Sequence, residues 1–141
     1  MSAKTHAHVR ENGESPYAVT IDVSGFRIKG DEPVSFGGND TGPSPYDLLA
    51  AALGECTAIT IRLYAEQQNW PLEEVEVLVD FHKERREGAP YPVDVFEKHV
   101  IVRGADLTEE QRAKLIDVSA KSPLHRTLEN TPIIKTDERS P

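Results

Sequence analysis

The sequence predicts an α+β fold in a single domain spanning residues 1–141. Three observations carry this reading. Apolar residues alternate with polar ones over Tyr17–Ile28, Glu74–Lys83 and Val93–Arg103, the period of a strand. A long helical pattern lies between the first and second of these. Two capped helical segments follow the third. The order β, long α, β-β, α-α, β differs from the regular βαβ alternation of a doubly wound parallel sheet.

Each element has its own local signature. The residues through about Glu14 are polar and are expected to fray or to form a short strand. In Tyr17–Ile28, Val19, Ile21 and Val23 share one face, opposite Thr20, Asp22 and Ser24; Gly25, where the alternation pauses, reads as a bulge or bend. Gly30–Pro43, rich in Gly, Pro, Asn and Asp, is a loop, read either as a mobile connector or as the mouth of a site. Ser44 is a good N-cap, Pro45 suits the first helical position and Asp47 completes a capping box. The helix that follows should run to about Asn69, where Trp70-Pro71 ends it. Leu49, Leu53, Cys56, Ile59, Thr60 and Leu63 recur at helical spacing and predict its apolar stripe. Ala50, Ala51, Ala52 and Gly54 keep its first half slim, which favours close helix packing in the core or across a dimer interface.

Further on, Val75, Val77, Val79 and Phe81 lie on one face of a strand. Phe96, Val100 and Val102 lie on one side of the next, with Val95 and Ile101 on the other, and the charged stretch Glu84–Pro92 makes the two a long hairpin. Thr108 and Gln111 box the start of a second helix carrying Leu115, Ile116 and Val118 and ending by Lys121. Ser122-Pro123 opens a short helix to about Leu128, and Pro132–Thr136 reads as a last short strand.

Composition narrows the function. With 38% hydrophobic and 28% charged residues the chain is globular in type, and its 141 residues suffice for one substantial core. The formal net charge of −8 disfavours nucleic acid and anionic membrane surfaces as partners. Met1–Arg10 shows no apolar h-region, and the longest mainly apolar run, Leu48–Leu53, is too short for a bilayer. A cytoplasmic location with a reduced thiol is therefore expected. The single cysteine allows neither an internal disulfide nor a cysteine-based zinc cluster. The five histidines do not cluster, and His6-x-His8 offers weak metal ligation at best, so no metal or other cofactor is expected. No P-loop, GxGxxG, HExxH or GxSxG motif occurs.

The chemistry converges on Cys56. A free cysteine in an apolar stripe is often a small packed hydrophobe. A working thiol must ionise, which the adjacent Glu55 would oppose and a nearby cation would favour. Arg10, Arg27, Arg62 and Arg126 are candidate cations, and spacing selects none of them. Arg62, six residues on, is turned about 600° around the helix and points elsewhere. Ser122 faces the free N–H groups at a helix start, where a serine can cap or hydrogen-bond. His125 lies beside that cap.

Ser44-Pro45-Tyr46-Asp47-Leu48-Leu49-Ala50-Ala51-Ala52-Leu53-Gly54-Glu55-Cys56-Thr57-Ala58 and Ser122-Pro123-Leu124-His125-Arg126-Thr127-Leu128 resemble the paired signature segments of the OsmC/Ohr family, the osmotically inducible and organic hydroperoxide resistance proteins. Arg103–Arg112 resembles that family's lead into its later helix, so the likeness covers roughly Gly42–Thr136. The resemblance implies a long central helix packed against antiparallel sheets in an intertwined homodimer. It implies that Cys56 attacks the terminal oxygen of an organic hydroperoxide and becomes a sulfenic acid. It further implies an apolar pocket for the substrate and an external thiol reductant. Two departures stand out. Ser122 occupies the position of the family's second, resolving cysteine. The position of the catalytic glutamate, ten residues before the first cysteine, holds Tyr46 with Asp47 beside it. Arg10 is the nearest match to the activating arginine. The resemblance thus implies a single-cysteine hydroperoxide reductase, and as its alternative a non-catalytic protein of the same fold that binds an apolar small molecule or senses redox state.

Overall fold

A computed structural model describes residues 4–141. The chain divides into two compact units, residues 1–49 and 50–141.

The first unit is an antiparallel meander of β1 (Ala7–Glu11), β2 (Val19–Val23) and β3 (Phe26–Gly30). Of the polar N-terminus, residues 1–3 lie outside the described residues, and Ala7–Glu11 pairs with β2 in the register Val9↔Ile21. The single strand expected over Tyr17–Ile28 is instead two strands. Ser24 and Gly25 both adopt left-handed backbone, with φ of 50° and 84°, and join β2 to β3 across the pair Val23↔Phe26. Successive positive φ values give a two-residue turn the twist that a tight hairpin needs.

The loop after β3 is gathered around one carboxylate. Asp31, 3% exposed, accepts hydrogen bonds from the Ser15 hydroxyl, the Glu32, Asn39 and Thr41 amides and the Thr41 hydroxyl, at 2.7–3.2 Å. Burial alone would raise the Asp31 carboxyl. The hydrogen bonds from Glu32, Ser15 and Thr41 outweigh it and hold the group far below the usual carboxylate range. A Cβ at Gly38 would collide with the Glu32 carbonyl and with Asp31 itself. The segment is thus an organised loop, with a 3-10 turn at Val34–Phe36, rather than a slack connector.

A pH dependence follows. The folded-state value of Asp31 is depressed, so its contribution is fully present above the unfolded carboxylate value of about 4 and is lost as pH falls further. Asp31→Asn is expected to lower the thermal midpoint at pH 7. The gap between variant and wild type should narrow as the pH is taken down toward 2 in circular dichroism melts. A pH-independent gap would contradict this account.

α1 (Pro45–Gln68) spans 24 residues. Its start is the capping box read from the sequence: the Asp47 amide donates to Ser44 Oγ at 3.3 Å and the Ser44 amide to Asp47 Oδ2 at 2.9 Å. Its end is a Schellman turn on Asn69 (φ 56°), with the Trp70 amide bonded to the Ala65 carbonyl at 2.9 Å and the Asn69 amide to that of Glu66 at 3.1 Å.

In the second unit, β4 (Glu74–Glu84) and β5 (Val93–Arg103) form the expected hairpin, in the register Val79↔Lys98. α2 (Glu109–Ser119) carries the Thr108/Gln111 capping box, and α3 (Pro123–Glu129) is capped by Ser122. The core joins Ile61, Ala65, Leu72, Val102, Leu107 and Leu115.

Two expectations change here. The covered row of α1 is Leu53, Thr57, Ile61 and Ala65, whereas Ile59 and Leu63, placed in the predicted stripe, are 60% and 52% exposed. The helix carries more than one apolar ridge, and the hairpin covers the slimmer one: a Cβ at Gly54 would meet Val79 Cγ2 at 3.3 Å. The last strand expected at Pro132–Thr136 does not form among the described residues, and Ile133 and Ile134 are 86% and 83% exposed. Taken whole, α1 is long and apolar enough to cross a bilayer by length and composition, although its apolar run Leu48–Leu53 is short. The hairpin packs on one side of it, and Glu55, Arg62 and Glu66 place charges elsewhere on its surface.

Candidate functional site

Cys56 lies in the middle of α1 and is half-buried, one position away from the fully buried Thr57. Thr57 Oγ1 donates to the Leu53 carbonyl at 2.8 Å, and Thr60 Oγ1 to the Cys56 carbonyl at 2.8 Å. Glu55 is on the exposed side of the helix.

The cation that reaches this stretch is neither Arg62 nor Arg126, the candidates from its own unit. Arg62 donates to the Leu72 and Glu73 carbonyls at 2.8 and 3.1 Å, tying the end of α1 to the chain entering β4. Arg126 is exposed on α3. Lys98 instead reaches from β5 and donates to Thr57 Oγ1 at 3.2 Å and to the Ser119 carbonyl, at the end of α2, at 2.7 Å. Burial pushes the Lys98 ammonium down from its ordinary value, and the charges of Cys56 and then Glu129 partly offset that.

Ser122 is fully buried and accepts the His125 amide at 3.3 Å, the capping role read from the sequence. His125 Nε2 lies 3.3 Å from Glu129 Oε2, while its Nδ1 is buried with no hydrogen-bond partner among the described residues. Cys56, Glu55, Ser122 and His125 thus all belong to the second unit, with Lys98 interacting with α1, α2 and α3.

Arg10, Tyr46 and Asp47 belong to the first unit. Arg10 pairs with Asp22 at 3.2 Å, and Asp22 is also held by Arg27 at 2.7 Å. Asp47 is used at the start of α1, where the Ser44 amide and hydroxyl lower its carboxyl. Tyr46 is 45% exposed. No group of three or more potential metal ligands occurs among the described residues.

Lys98 was missed in the sequence, yet a signal was there. On β5 the side carrying Phe96, Val100 and Val102 has Lys98 in the middle, a charge at a position where the alternation requires an apolar residue.

Comparison with known proteins agrees with this architecture. Residues 37–137 match the sequence profile of the family described as OsmC-like protein. Protein YhfA of Escherichia coli K12 is 33% identical over 82 residues, which is 58% of this chain and 60% of the length of YhfA. Among solved structures, an OsmC-like protein from Mycoplasma pneumoniae superposes with a TM-score of 0.75 at 22% identity, covering 92% of this chain and 89% of that one. An organic hydroperoxide resistance protein from Legionella pneumophila superposes with a TM-score of 0.68 at 17% identity, covering 89% of each chain. Profile and fold converge: the chain belongs to the OsmC-like family.

Proposed function

We propose that the protein acts in oxidative-stress defence as an organic hydroperoxide reductase that uses one cysteine. The observation that carries the reading is the position of Cys56, half-buried on the long helix and therefore open to a small substrate. The organic hydroperoxide resistance proteins among its structural relatives support it. The Cys56 thiolate attacks the terminal oxygen of ROOH, the O–O bond breaks, and the leaving alkoxide takes a proton to become ROH. Sulfur is oxidised by two electrons to the sulfenic acid. An external thiol condenses with it, releasing water, and a second thiol displaces the resulting mixed disulfide and restores Cys56.

No second cysteine exists in the chain, and Ser122 at the resolving position is a buried cap. That observation also favours a second reading, in which the same fold binds an apolar ligand without turnover. Treatment with cumene hydroperoxide distinguishes the two. Reductase chemistry gives one sulfenic-acid adduct per chain with dimedone and catalytic peroxide loss when thiol is supplied. Native mass spectrometry showing a retained lipid beside an unreactive thiol decides for the ligand-binding protein.

The assembly belongs to this proposal as an intertwined homodimer. The exposed Ile59 and Leu63, with Ala58 and Val75, line an apolar recess of about 390 Å³ whose cover a second chain would supply. Sedimentation equilibrium is expected to give twice the chain mass, and Leu63→Glu to shift it toward the monomer. A monomeric wild type contradicts the assembly.

A further inference from the structure

We propose that Lys98 is the positioning residue of the Cys56 site, its ammonium being the positive charge that holds the sulfur as a thiolate. This rests on the redox reading of Cys56 given above.

The argument begins with where the lysine stands. One face of the β4–β5 hairpin carries the cross-strand pairs Val75↔Val102, Val77↔Val100, Val79↔Lys98 and Phe81↔Phe96. Seven of these eight residues are apolar, and the eighth is the lysine. α1 approaches this face at Gly54, beside Val79 and Val77. The cross-strand neighbour of Val79 is therefore brought against the next turn of the helix, which is where Thr57 and Cys56 sit.

A lysine in such a place has a cost, because its ammonium leaves water. Paired carboxylates usually compensate a half-buried cation. Here its two acceptors among the described residues, Thr57 Oγ1 and the Ser119 carbonyl, are both neutral. No carboxylate lies within ion-pair distance of Lys98 among the described residues. The one acidic group that influences it, Glu129, is already shared with His125. Three N–H donors with two neutral acceptors leave the charge without a local counter-ion. Cys56 is one residue from the Thr57 hydroxyl that Lys98 binds, so its side chain is where an anion would complete the arrangement.

A strut joining α1 to the end of α2 would explain the two hydrogen bonds equally well, so the test must separate charge from tether. Lys98→Gln keeps amide donors and removes the charge, Lys98→Met removes both, and Lys98→Arg restores the charge. The readout is the second-order rate of Cys56 alkylation by iodoacetamide between pH 5 and 10, which needs no peroxide. Circular dichroism confirms that each variant is folded. Loss of the charge is expected to slow alkylation at pH 7 by roughly tenfold in both Gln and Met variants, to move the profile to higher pH, and to be reversed by Arg. Unchanged profiles in folded Gln or Met variants overturn the proposal, as does slowing that appears in Arg10→Met alone. If Met fails to fold, the Gln and Arg variants carry the test. Peroxide turnover is measured separately. A wild type without turnover but with Lys98-dependent alkylation removes the reductase reading and leaves Lys98 in place. Turnover and alkylation that both ignore Lys98 do the reverse.

Discussion

Cys56→Ser is expected to abolish thiol-dependent reduction of cumene hydroperoxide, lowering the rate by on the order of a thousandfold or more while leaving the fold intact. The reason is chemical rather than steric. Sulfur accepts the terminal oxygen of the peroxide and changes its oxidation state by two electrons. A serine oxygen cannot be oxidised in that way, and its hydroxyl stays protonated at neutral pH. The substitution removes little packing, because Cys56 is half-buried and the buried row of α1 runs through Leu53, Thr57, Ile61 and Ala65 instead. A serine on a helix can also donate to the carbonyl four residues back, as Thr57 and Thr60 already do. Peroxide loss followed at fixed thiol concentration, with a melt of each protein, separates the two effects. A variant that consumes peroxide as fast as wild type would end the reductase account.

Leu115→Ala is expected to be among the most damaging of the conservative core truncations, destabilising the protein by about 2–5 kcal/mol. Leu115 is completely buried and joins Ile61, Ala65, Leu72, Val102 and Leu107 in the core of the second unit. The truncation leaves a cavity beneath α2 that the hairpin can close only in part. The adjacent Ile116 supplies the control. It is 44% exposed, and Ile116→Ala is expected to cost under about 1 kcal/mol. Urea unfolding of the two variants at equal protein concentration checks the contrast, and equal losses would show that the core is not centred where the burial places it.

Much of the architecture could be read from the sequence because its signals are local. Ser44, Thr108 and Ser122 cap the helices they were assigned to, and the period-two patterns of residues 74–84 and 93–103 pair as a hairpin. At Ser24–Gly25 the alternation only pauses, which reads as a bulge or bend within one strand rather than a hairpin turn, although Ser-Gly is itself a turn signal. The covered face of α1 was misplaced because a helix can be apolar on several rows, and which one is buried depends on its partner. Here the hairpin takes the row with Thr57 and Ala65, which hydrophobicity alone ranks below Ile59 and Leu63. The tail at Pro132–Thr136 has strand-forming residues, but a strand also needs a neighbour to bond with, and no short stretch of sequence specifies one.

Cys56 was found at once, because the chain has a single thiol. Its cation is harder to read, because spacing selects none of Arg10, Arg27, Arg62 and Arg126, whereas Lys98 comes from a strand 42 positions later. Long-range neighbours of this kind are set by packing. What the sequence held was the indirect mark, a lysine interrupting an apolar face.

The knot at Asp31 has a practical consequence for anyone wishing to re-engineer this scaffold. Because one carboxylate collects donors from Ser15, Glu32, Asn39 and Thr41, the spacing between those residues acts as a ruler. Foreign peptides or affinity tags grafted between Glu32 and Asn39 must return both ends to the same point in space. Insertions at the Gly88 bend of the β4–β5 connection, where a Cβ would meet nothing within 4 Å, carry no such metric.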